Sequence, residues 1–215
     1  MAQCRYALEN YENNVDFHPD DVAGQFGIPV IKPEEYVETN WIPFQGASAK
    51  RGKDKCGVHF FTYDYVFMRL WTHRMKYLSM LQQFQAVMTP DFSLYTDWPM
   101  IVNVWNHYRK HLIGAWMQSN GIVVYPTIGW SDHNSYAWCF DGEPHGSTVC
   151  VSSVGTQKSK ESARLFMDGY EQMIQILEPK TILFYGKVPQ ECTGNIVKIK
   201  PFYSKFDGGG ADDDA

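Results

Sequence analysis

A chain of 215 residues, 44% hydrophobic and 15% aromatic, can fill one core and is too apolar for a disordered segment. Its formal charge is −5, but Asp207, Asp212, Asp213 and Asp214 hold four of those charges, so the body sits near −1 and lacks the field of a general nucleic-acid binder. No stretch approaches the roughly twenty apolar residues of a membrane span, and five scattered cysteines form no disulfide framework, which points to a reducing cytoplasm.

In chain order, β-branched and aromatic runs recur, each followed by a turn signal. They are "GIPVI" (27–31), "GVHFFTYD" (57–64), "AVMTPDFS" (86–93), "GIVVYPTIGW" (121–130), "STVCVSSVG" (147–155) and "TILFYG" (181–186), with "NIVKIKPF" (195–202) as a final strand. The first gap reads as a short helix in "PEEYVETN" and then loop in "WIPFQGASAK", followed by the basic run "KRGKDK", a solvated loop. Phe67, Leu70, Trp71, Leu78, Leu81 and Phe84 keep helical spacing in the second gap. In the third gap Ile101, Val104, Trp105, Tyr108, Leu112, Ala115 and Trp116 do the same; Asp97 can cap that helix, Pro99 fits its first turn and Asn120-Gly121 ends it. Ala163, Phe166, Met167, Tyr170, Met173, Ile174 and Leu177 mark another helix, stopped by Pro179.

Strands about thirty residues apart with helices between them predict an α/β fold: a mostly parallel sheet covered by helices, as a small or incomplete β/α barrel. An open doubly wound sheet is the rival. One α/β domain is expected over residues 1–206, followed by an acidic, glycine-rich disordered tail over 207–215.

In either architecture a site lies beyond the C-terminal ends of the strands, and those ends are polar here. Asp64, Asp91 and Asp132 follow three successive strands, where converging carboxylates would act as acid and base or hold a hard cation such as Mg²⁺. The competing reading gives Asp91 and Asp132 to local turns. Ser93 follows the same strand as Asp91, and Trp130 offers a ring for stacking and one N–H donor. From Ser153 the chain passes through Gly155 to Lys158 and a helix start, a combination suited to an anion, although neither a G-x-G-x-x-G nor a Walker-type motif is present. Zinc ligands need compact matched pairs, which "CGVH", His133, Cys139, His145 and Cys150 do not supply. His107 and His111 lie four apart but lack the glutamate of H-E-x-x-H, so no metal ligand is assigned and both read as packing or surface histidines.

Four segments together, "TPDFSLYTDWP" (89–99), "GAWMQSNGIVVYPTIGW" (114–130), "CFDGEPHGSTVCVSSVG" (139–155) and "ILFYG" (182–186), resemble the family numbered 4417 among the domains of unknown function, which occurs in bacteria and phages. The resemblance implies a phage-like setting, in the host cytoplasm if a phage encodes the chain, and draws attention to Asp91, Ser93, Gln118, Gly121, Pro126, Trp130, Asp141, Gly142, Ser153 and Gly155. It supplies no activity.

The expected function is therefore binding of a small phosphorylated or nucleotide-like ligand at the strand ends. Trp130, Ser93, Ser153, Gly155 and Lys158 would hold it, and Asp64, Asp91 and Asp132 would act on it if it is cleaved. The alternatives are a module that sequesters the ligand without catalysis, or a protein-interaction module in phage replication or host takeover, with "VWNHYRKHLIGAW" or "RLWTHRMKYL" as contact surface. Oligomeric state is not legible.

Overall fold

The computed structural model describes residue 14 and residues 16–200. The acidic tail, the boundary expected at residue 206 and the last residues of "NIVKIKPF" lie outside the described residues.

Seven strands run parallel: β3 (Asn40–Pro43), β4 (Cys56–His59), β5 (Ala86–Met88), β6 (Val124–Tyr125), β7 (Thr148–Ser152), β8 (Thr181–Tyr185) and β9 (Ile196–Ile199). They form a four-stranded sheet, β3-β4-β5-β6, and a three-stranded sheet, β7-β8-β9, joined by the parallel bridge Thr127↔Cys150. Neighbours in sequence are neighbours in space throughout. That is the order of a β/α barrel, without the reversal a doubly wound sheet requires. Among the described residues the wall does not close: β3 pairs only with β4, and β9 only with β8. It nevertheless curls, because Phe61 beyond β4 stacks on Tyr185 of β8 at 5.0 Å and His59 lies 5.1 Å from the same ring.

Helices supply the crossovers. They are α1 (Phe44–Ala47), α2 (Asp64–Thr72), α3 (Arg74–Leu81), α4 (Met100–Ser119) and α5 (Lys160–Leu177), with 3₁₀ turns at Lys53–Lys55 and His133–Ala137. The periodic α5 face buries Phe166, Tyr170, Met173 and Leu177 against Val149, Val151 and Phe184, and each large apolar side chain of this kind contributes about 1.5–3 kcal/mol. Ser159 caps α5 through a capping box with Ser162, and Glu178 closes it at φ 46° before Pro179. Gly121, at φ 76°, ends α4, where its N–H donates to the Gln118 carbonyl. None of the helices among the described residues is long and apolar enough to cross a membrane.

Four local expectations are corrected. "GIPVI" is not a wall strand: β2 (Ile28–Pro29) pairs antiparallel with β1 (Val22–Ala23) in a small hairpin. The first wall strand is instead β3, which starts at Asn40 and runs into "WIPFQGASAK", where Trp41, Ile42 and Pro43 are buried; a proline is tolerated there because the strand is an edge. "PEEYVETN" forms no helix; the chain is held extended by Ser147, whose Oγ bridges the Glu34 N–H and carbonyl, and by Tyr125, whose hydroxyl bridges the Glu35 carbonyl and the Val37 N–H. Asp97 does not cap α4, whose N-cap position is Pro99.

Candidate functional site

Beyond the C-terminal ends of β5, β6 and β7 the chain encloses a cavity of about 400 Å³, within the size range of small-molecule pockets. Its apolar wall includes Leu94, Ile128, Trp130 and Phe166, and its polar groups come from Asp91, Ser93, Ser131, Ser152, Thr156 and Ser162. The location follows from the parallel strands, which deliver the loops after each strand to one end of the wall.

Asp64 and the Asp91–Ser93 segment are locked together. Asp64, the first residue of α2, accepts the Ser93 N–H at Oδ2 (3.1 Å) and the Ser93 hydroxyl at Oδ1 (2.9 Å). Asn106 of α4 donates to the Ser93 carbonyl at 2.7 Å, while the Arg109 guanidinium donates to Asn106 and lies 4.1 Å above the Phe92 ring. With both Asp64 oxygens engaged, Asp91 is the carboxyl that faces the cavity. Its surroundings push its pKa up to about 7: burial disfavours the charge first, the neighbouring Asp64 carboxylate adds to this, and Lys110 partly opposes it.

The other residues expected at the site divide. Trp130 lines the cavity, but its indole N–H donates to the Leu165 carbonyl at 3.1 Å and its ring lies against Gly169, where a Cβ would come within 2.2 Å of Nε1. Gly155 lines it at φ 81°. Ser153 is buried and donates from Oγ to the Lys187 carbonyl at 2.6 Å, which ties the ends of β7 and β8. Lys158 is exposed and outside the lining. Asp132 also lies outside it: its carboxylate accepts the Asn134 N–H at 3.0 Å, capping the 3₁₀ turn. At the start of α5, the N–H groups of Ser159 and Ser162 bond the partner serine's hydroxyl, leaving fewer free donors for an anion than the sequence suggests.

A second group was passed over in the sequence. His107, Lys110 and His111 of α4 are all buried and face Glu143, which is buried on the turn after Asp141-Gly142. Lys110 donates to the Thr127 carbonyl (2.8 Å) and to Glu143 Oε1. His111 Nε2 lies 3.0 Å from the same oxygen, and the two imidazole rings are 4.4 Å apart. Burial pulls both histidines down in pKa, with Glu143 partly opposing it at His111. Gly142 makes the approach possible: it adopts φ 76°, and a Cβ there would meet the Pro29 carbonyl at 2.7 Å and His111 Nδ1 at 3.0 Å. The available signal was the i, i+4 histidine pair, but its partner lies 32 residues away from His111. His59, at the end of β4, is likewise buried, with neither ring nitrogen partnered, and burial lowers its pKa to about 4.

Comparison with known proteins agrees with the four segments singled out above. The chain matches a family described as a domain of unknown function, DUF4417, over residues 20–203. It is 37% identical over 190 residues to the Gene 1 protein of Mycobacterium phage L5, covering 86% of this chain and 82% of that protein. It is 34% identical over 187 residues to the Gene 1 protein of Mycobacterium phage D29, covering 86% of this chain and 69% of that protein. No solved structure matches. With a family match over most of its length and phage proteins above 30% identity on either side, the chain belongs to the DUF4417 family.

Proposed function

We propose that the chain binds a small, ring-bearing ligand of the nucleoside or nucleotide class in the strand-end cavity, and that Asp91 serves as its acid–base group. The observation that carries the reading is a carboxyl with a pKa near 7 facing a roughly 400 Å³ cavity with one largely apolar wall. A general acid or base works best when its pKa lies near the working pH, and an aromatic wall such as Trp130 and Phe166 suits a planar ring. Hydroxyls of Ser131, Ser152, Thr156 and Ser162 would meet sugar or phosphate oxygens, and Gly155 allows close backbone approach. Among the described residues no cationic side chain lines the cavity, so a phosphate would rest on neutral donors with Asp91 protonated, or share Mg²⁺ with Asp91 ionised. Acid–base cleavage and simple sequestration use the same pocket and differ only in turnover.

The test is calorimetric titration of a nucleoside and nucleotide panel, with and without Mg²⁺, into wild type and Asp91→Asn, followed by chromatography of the mixtures. Binding with turnover lost in Asp91→Asn supports an enzyme, and binding without turnover supports sequestration. Absence of binding across the panel overturns the reading. Gly155→Val and Lys158→Glu test the anion part: weaker binding of phosphorylated ligands alone places the phosphate at that loop, and unchanged binding puts it elsewhere.

A second reading, docking to another protein, is supported by one observation. Trp98, Met100, Ile101 and Val102 are exposed at the start of α4, next to the cavity-lining Tyr95. The helix segments weighed for this role offer less apolar surface: Trp71 and Trp116 are buried, and Trp105 stacks on Tyr108 at 5.7 Å against the core.

A further inference from the structure

The hydrogen bonds around His107, His111 and Glu143 leave two buried polar atoms without a partner. A backbone carbonyl can only accept, so His107 donates through Nε2 to the Asp141 carbonyl (3.0 Å), and His111 donates through Nδ1 to the Pro29 carbonyl (2.8 Å). His111 Nε2 lies 3.0 Å from Glu143 Oε1, while His107 Nδ1 and Glu143 Oε2 have no partner. All three side chains are at most 5% exposed, so water does not satisfy them from outside. Unmatched buried polar atoms of this kind carry the full desolvation penalty, which folded proteins rarely leave uncompensated.

We propose that His107, His111 and Glu143 form a buried binding site for a divalent transition-metal ion of the zinc or ferrous class. One ligand atom from each of the three lies within 4.8 Å of the others. Tetrahedral bonds of zinc length put ligand atoms roughly 3.3 Å apart, so the Nε2–Oε1 separation of 3.0 Å is already close, and small side-chain rotations complete the triangle. The outer bonds also fit: a metal-ligating histidine almost always gives its second N–H to a carbonyl or carboxylate, which fixes the tautomer, and here both rings do so. Two imidazoles and one carboxylate are a donor set for zinc or iron(II), not for Mg²⁺. The ion would pin α4 to the Asp141–Glu143 turn, a stabilising role separate from the cavity chemistry. The Lys110 ammonium, which bonds Glu143, opposes a cation there and limits its affinity.

Untagged protein purified without chelator is assayed for zinc and iron by mass spectrometry. Chelator-stripped protein is then titrated with Zn²⁺, Fe²⁺ and Co²⁺, following thermal melting and the cobalt visible spectrum. Wild type should carry or take up about one equivalent and melt higher with it. Glu143→Gln keeps the shape but removes a ligand charge, and should lower occupancy at least tenfold and abolish the shift in melting. Lys110→Met removes the opposing charge and should tighten binding. Wild type that takes up none of the three ions, or Glu143→Gln that binds as well as wild type, overturns the proposal. If Glu143→Gln does not fold, Lys110→Met decides, and unchanged affinity in that variant overturns the site.

Discussion

The folded chain holds a proton on Asp91 that the unfolded chain releases, and this has a measurable cost. Asp91 titrates at about 7 in the fold, against an ordinary value of 3.8. At 1.36 kcal/mol per pKa unit, ionising it inside the fold costs about 4 kcal/mol, and solvent reaching it through the cavity trims this to about 3 kcal/mol. The sign follows from which state binds the proton more tightly. Because the folded pKa is the higher one, this contribution is fully present below about pH 4, declines as pH rises toward 7 and is gone above it. Asp91→Asn cannot ionise, so its stability should match wild type near pH 4 and exceed it by about 3 kcal/mol at pH 8. For a protein of this size that corresponds to a melting temperature higher by roughly 6–12 °C. Urea unfolding of both proteins at each pH from 4 to 8 measures the difference directly. Parallel stability curves would refute the reasoning, since they would mean that Asp91 ionises in the fold as readily as in water.

Other substitutions probe separate contacts. Gly169→Ala should cost about 1–3 kcal/mol by driving a methyl into the Trp130 ring, and should also weaken ligand binding in the cavity; an unchanged melting temperature counts against this packing. Gly142→Ala places a Cβ against the Pro29 carbonyl at positive φ and should destabilise by about 1–3 kcal/mol or more, read by urea melts. Ser159→Ala removes the α5 cap and should cost about 1 kcal/mol. His59→Phe replaces a buried imidazole that has no hydrogen-bond partner and should be neutral or stabilising in thermal melts; a loss above about 2 kcal/mol would point to a partner for that ring.

The sequence reveals most of the wall and only part of the site, for physical reasons. Strands such as Thr148–Ser152 and Thr181–Tyr185 are covered on both faces, so their interiors, residues 149–151 and 182–184, are wholly apolar and the run stands out. Asn40–Pro43 does not stand out, because four residues ending in proline look like loop until a neighbour pairs with them. Ile28–Pro29 looks like a wall strand because burial against α4 demands the same apolar residues as burial in a wall. The continuous pattern from Phe67 to Phe84 conceals the break at His73, where the Thr72 hydroxyl bonds back to the Met68 and Arg69 carbonyls. Asp91 and Ser93 were legible from their position after a strand. Asp64 was legible too, though not its attachment to Ser93. The role of Asp132 depended on whether its carboxylate turned toward its own backbone, which spacing alone does not decide. The His107–Lys110–His111 face reads equally well as solvated, and only the fold brings Glu143 to it.

The junction between the two sheets makes the wall unequal around its circumference. Where β7 and β8 are stitched along five residue pairs, β6 and β7 meet through the Cys150 N–H to the Pro126 carbonyl and the Ile128 N–H to the Cys150 carbonyl, each 2.8 Å. Among the described residues this is the thinnest weld between neighbouring wall strands, and the cavity sits over it, since Ile128, Gly129 and Ser152 lie on its two banks. A guest larger than the cavity would therefore gain room by parting these two bonds rather than by repacking a core. The Ile128 and Cys150 amides should exchange with deuterium ahead of those of Leu183 and Phe184, and a bound guest that spans both banks should slow them.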